Sequence, residues 1–91
     1  MTTQDDFVYH LQEVEQAVIR EDWTAALEHS RNLDNAWNQV IRRIQFSVDK
    51  DEMKSINVSL SRLNAFLRAR DSSQALAAAA EIREHWEHLN E

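Results

Sequence analysis

At 91 residues with no glycine, proline or cysteine and a net charge of −6, the chain has room for one hydrophobic core and lacks residues on which several site classes depend. Missing cysteine excludes a disulfide framework, a zinc centre built on cysteine ligands and a thiol nucleophile; missing glycine excludes a P-loop, a dinucleotide fingerprint and a nucleophile elbow, all of which need backbone without a Cβ. The balance of 16 Asp+Glu against 10 Lys+Arg opposes binding to nucleic acid or an anionic membrane, and no apolar run approaches the ~18 residues of a span.

The start Met1-Thr2-Thr3-Gln4-Asp5-Asp6 lacks the basic-then-apolar order of a signal peptide, so the expectation is a soluble chain with no membrane insertion by this segment. Apolar residues then recur at steps of three and four, the signature of one helix face. Phe7, Leu11, Val14 and Val18 define a first stripe, and Trp23, Leu27, Ser30, Leu33, Trp37, Val40 (or Ile41), Ile44 and Val48 a second. Met53, Ile56, Leu60, Leu63 and Leu67 form a third, and Leu76 (or Ala75), Ala79, Ile82, Trp86 and Leu89 a fourth. Asp22 and Asp71 stand where an N-cap is needed, Asp71 with Gln74 and Asp49 with Glu52 have capping-box spacing, and Thr3 or Asp6 can serve the first helix. The spacing predicts helices over about 4–21, 23–46, 50–70 and 72–90.

An offset of 49 residues superposes the two halves. Phe7 falls on Ile56, Leu11 on Leu60, Asp22 on Asp71, Ala26 on Ala75, and Trp37 on Trp86. The pattern reads as two similar αα-hairpins, about 4–46 and 50–90, in a single domain spanning 1–91. Two units are too few for a solenoid, so the predicted fold is all-α: a four-helix antiparallel bundle with Trp37 and Trp86 in its core. The other geometry open to this sequence is a swapped dimer, with the second and third helices merged through 46–50 into one rod.

Asp22-Trp23-Thr24-Ala25-Ala26, Trp37, Ser59-Leu60-Ser61-Arg62-Leu63, Ala75-Leu76 and Glu84-His85-Trp86 together resemble a small helical domain-of-unknown-function family of Gram-positive, often spore-forming, bacteria. The resemblance implies a helical bundle with no established activity, and often an N-terminal membrane anchor, so this chain is expected to be the soluble part of an anchored protein. Relatives often place a histidine before the acidic pair at the central turn. Lys50 stands there in this chain, before Asp51-Glu52, and no role for such a histidine transfers.

The chain has four histidines, His10, His29, His85 and His88. His85 and His88, with Glu81, Glu84 and Glu91 on the same helix, are a conceivable metal site. A di-iron bundle, however, needs Glu-x-x-His on two helices, and that motif is absent, so no metal and no cofactor is expected. Ser30 stands where Ala79 stands in the other half, which reads as a small residue for close helix approach, its hydroxyl bonded back to a carbonyl. Nothing supplies it with a base or an oxyanion hole, so no catalytic residue and no enzyme activity is expected.

Charge is unevenly placed: residues 1–39 hold two basic and eight acidic groups, 40–70 seven and three, and 71–91 one and five. Opposite charge favours pairing the basic centre with the acidic first and fourth helices. Of the apolar residues off the stripes, Phe66 widens the third one, and Tyr9 and Val58 share a repeat position at the core edge. Val8, Ile19 and Phe46 remain as the candidate partner surface. The expected function is a non-catalytic protein–protein interaction or scaffold module acting on a protein partner or as a homo-dimer. The alternative is a helical sensor that binds a small molecule or metal within the bundle.

Overall fold

Aspartate punctuates this chain where glycine usually would. The computed structural model describes residues 3–44 and 50–89, apart from the side chains of 3–5 and 44, and contains α1 (Thr3–Ile19), α2 (Trp23–Ile44), α3 (Lys50–Arg68) and α4 (Ser72–Leu89). α1 closes with the paired bonds of a Schellman motif: the Glu21 amide donates to the Val18 carbonyl and the Asp22 amide to that of Ala17. Asp22 then opens α2, its carboxylate accepting from the Ala25 amide at 3.1 Å and its carbonyl from the Ala26 amide. Between α3 and α4 the same bonds recur at Arg70, Asp71, Gln74 and Ala75. Each turn is therefore about three residues long, with one aspartate ending one helix and capping the next.

The residue before each aspartate sits in the left-handed region, Glu21 at φ 59° and Arg70 at φ 57°. A Cβ there costs roughly 1–2 kcal/mol, which glycine would avoid. The turns hold because the Schellman bonds and the aspartate cap in each offset that cost.

α1 packs on α2 and α3 on α4 within the hairpins, while α1 also meets α4 and α2 meets α3. This is an all-α, four-helix antiparallel bundle. The longest dimension is 38 Å, whereas merged second and third helices would run to roughly 70 Å at 1.5 Å per residue. In this chain the two lie side by side. Asp49 and Phe46 fall outside the described residues, and Asp6 lies inside α1 rather than at its cap.

The core follows the predicted stripes closely. Phe7, Leu11, Val14, Leu33, Trp37, Ile56, Leu63, Leu67, Ile82 and Trp86 are buried, and Trp23 and Phe66 are partly buried against them. In the α2 and α4 stripes, Ala26 and Ala75 are buried while Leu27 and Leu76 are only partly so. Of the six buried alanines, Ala17, Ala26, Ala75 and Ala78 lie toward the tight turns, where small side chains permit close approach of the hairpin arms. The large rings collect at the opposite end. Phe7 stacks on Trp86 with centroids 4.2 Å apart, and Trp37 is tilted against Phe7 at 5.8 Å and edge-on to Trp86 at 6.4 Å. The Trp37 indole N–H donates to Asn57 Oδ1 at 2.7 Å, which adds α3 to a cluster drawn from the other three helices.

Two expectations are corrected. The Ser30 hydroxyl is buried and has no hydrogen-bond partner, rather than bonding back to a carbonyl; the bare hydroxyl costs about 1–3 kcal/mol. Tyr9 and Val58 are exposed rather than at the core edge, being rotated about 160–200° from Phe7 and Ile56 on their helices.

Relieving either left-handed residue should stabilise the fold. Glu21→Gly and Arg70→Gly are each expected to raise unfolding free energy by about 0.5–1 kcal/mol in urea titrations, and a loss in both would contradict the turn analysis.

Candidate functional site

Residues equidistant from the turn at Arg70 face each other across the α3–α4 hairpin. Ser59 thus donates to Glu81 Oε2 at 3.4 Å, and Arg62 lies 3.6 Å from the same oxygen. Continued to the open end, that register brings Glu52, in the first turn of α3, to His85 and His88 in the last turns of α4. His85 Nδ1 lies 2.7 Å from Glu52 Oε2, and His88 Nδ1 lies 3.6 Å from Glu52 Oε1. The three side chains are a quarter to a half exposed, and one ligand atom from each falls within 4.8 Å of the others. The acidic partner of the two histidines is therefore on α3, not among the α4 glutamates that spacing suggested. Among the described residues this is the one group with three potential ligands.

The other two histidines meet across the first hairpin. His10 Nδ1 and His29 Nδ1 are 3.1 Å apart, with the Tyr9 ring edge-on to both. A hydrogen bond between two Nδ1 atoms uses one proton and one lone pair, so at least one ring in it is neutral. Burial, and then the charge of His29, hold the His10 imidazole below its ordinary value of 6.5, against the opposing pull of Asp6 and Glu13.

Between α2 and α3 runs a polar groove of about 340 Å³ lined by Asp34, Trp37, Asn38, Asn57, Leu60, Ser61 and Asn64. It extends past Asp34 and Asn64 toward Leu27, Arg31 and Arg68. Burial pushes the Asp34 carboxyl above the ordinary aspartate range. The groove is an open surface feature, and the Trp37 edge that reaches it is already bonded to Asn57.

Of the candidate partner surface, Ile19 is 62% exposed, Val8 is partly buried against the core, and Phe46 lies outside the described residues. Val8, Gln12 and Ile19 fall within about 40° of one another around α1. Glu15 falls on the same line, about 20° from Val8 on the side of α4, and the exposed arc beyond it, formed by Ile19, Gln12, Gln16 and Tyr9, carries no charge. The acidic side of α1 is engaged elsewhere: Glu15 accepts from Arg83 of α4. Of the basic groups in 40–70, Arg62 reaches an acidic helix, at Glu81. Among the described residues, no helix is long and apolar enough to cross a membrane.

These features define a small all-α bundle with an aromatic cluster in its core and its ionisable clusters on helix–helix seams. The chain belongs to the DUF4363 family, a domain of unknown function, which it matches over residues 1–91. No curated protein and no solved structure matches it.

The lowered His10 value sets a sign for stability against pH. The folded chain binds that proton more weakly than the unfolded chain, so the contribution is full above 6.5 and is lost as pH falls through 6.5 toward the folded value. Thermal melts should therefore show Tm declining from about pH 7 to pH 5, with a shallower decline in His10→Gln. Equal declines in the two proteins would contradict the assignment.

Proposed function

We propose that this domain is a non-catalytic module that works by protein contact, with the outer face of α1 as its contact surface. The observation that carries the reading is the exposed, uncharged arc of Tyr9, Gln12, Gln16 and Ile19, on a chain in which 29% of residues are charged. A helix face with Ile19 and Tyr9 exposed at 62% and 42% loses little on desolvation and gains from burial against a second apolar surface. Supporting it from behind, Phe7, Leu11, Val14 and Val18 lock the inner face of α1 into the core, so the arc is presented on a rigid element. Trp37 and Trp86, packed against Phe7 in the core, further support a surface role over ligand capture at those rings. The partner is a protein, either another chain or a second copy of this one; neither nucleic acid nor a bilayer interior suits a chain of net charge −6.

A photo-crosslinking residue at Gln12 in the full-length protein, expressed in its native cell, tests this. It should give one dominant adduct, either a heterologous protein or the homodimer. Ile19→Glu should reduce that adduct at least about tenfold with helix content unchanged by circular dichroism. Undiminished adduct in Ile19→Glu would overturn the surface assignment.

A further inference from the structure

We infer that Glu52, His85 and His88 form a binding site for a single divalent metal ion of the zinc type, which clips the open end of the α3–α4 hairpin. His85 and His88 are three residues apart on α4, so both imidazoles project from one face over a single turn. Both turn the same atom, Nδ1, toward the two oxygens of one carboxylate, at 2.7 Å and 3.6 Å.

In a tetrahedral zinc site with bonds of about 2.0–2.1 Å, ligand atoms stand roughly 3.3–3.4 Å from one another. The three atoms here lie within 4.8 Å of each other, so side-chain rotation alone brings them to that spacing. Two imidazoles and a carboxylate are a borderline-to-hard donor set that favours zinc, cobalt or nickel over magnesium, which prefers an all-oxygen shell with retained water.

The setting favours a cation as well. His85 and His88 lie in the last turns of α4, where unpaired carbonyls leave the helix end partially negative. Glu84 and Glu87 add exposed negative charge on the same segment. Glu52, His85 and His88 are 24%, 31% and 48% exposed, which gives the ion a route in and leaves a fourth position for water or an outside ligand. The contrast within the molecule is His10 with His29, whose facing nitrogens bond each other at 3.1 Å and belong to no group of three ligands among the described residues.

Such an ion would join the first turn of α3 to the last turns of α4, roughly 27 Å from the Arg70 turn at 1.5 Å per residue. It would tie the hairpin at the end its own backbone leaves open. Because the ligands are brought together by folding, zinc should stabilise the folded chain by mass action.

The test is calorimetric titration of the untagged chain with zinc alone, alongside thermal melts with zinc or magnesium. The inference expects one zinc per chain, a Tm raised by several degrees with zinc and unmoved by magnesium, and affinity lowered at least about tenfold in Glu52→Gln, His85→Gln and His88→Gln, but not in His29→Gln. No saturable binding, or binding that survives the three ligand substitutions, would overturn it. Nitrogen NMR of the unmodified chain gives a readout independent of variant folding: zinc should shift the imidazole nitrogens of His85 and His88. Shifts confined to His10 and His29 would overturn it equally.

Discussion

Phe7, Trp37 and Trp86 meet at the end of the bundle away from both tight turns, where residues 45–49 link α2 to α3 and no chain segment links α1 to α4. Each hairpin is closed at one end by its Schellman turn and aspartate cap, and its arms are drawn together there by alanines. The other end would splay without large side chains to fill it. Three rings from three helices do so, and the Trp37 indole reaches the fourth through Asn57. The cluster combines area burial with ring geometry, at 4.2 Å for the stacked pair and with the edge-on tryptophans inclined at 70°. In a chain this short, a few kcal/mol from one such contact is a large share of total stability.

The remaining features depend on that anchored end. The register that buries Trp86 also sets His85 and His88 on the flank of α4, facing the first turn of α3. With Phe7 buried in the cluster, α1 has one face fixed inward, and Tyr9, Gln12 and Ile19 follow onto its outer side. The ion pair of Glu15 with Arg83 and the Ser59–Glu81–Arg62 contact lie along the seams between. These contacts are partly exposed and worth little singly, so they fix which helix edges meet rather than how strongly.

Helix limits were legible in the sequence because the stripes have a clean period and Asp22 and Asp71 are strong caps. Ala26 and Ala75 were harder to place than Leu27 and Leu76, since hydrophobicity ranks leucine as core while close helix approach requires alanine. The bare hydroxyl of Ser30 was not legible, because it depends on the rotamer that the final packing selects. Glu52 was missed as the partner of His85 and His88, since local spacing directs attention to glutamates on the same helix. The signal was nevertheless present: counting equal distances from a turn at Arg70 pairs position 52 with 88 and 59 with 81. Reading the hairpin register, rather than helix neighbours, would have found it.

The central claim is that the aromatic cluster holds the two hairpins together at their open end. A double-mutant cycle with Phe7→Leu and Trp86→Leu, followed by urea unfolding, tests it most directly. The account predicts that each substitution destabilises the chain and that the pair is coupled by about 0.5–1.5 kcal/mol. Near-neutral single variants, or strictly additive losses, would contradict it.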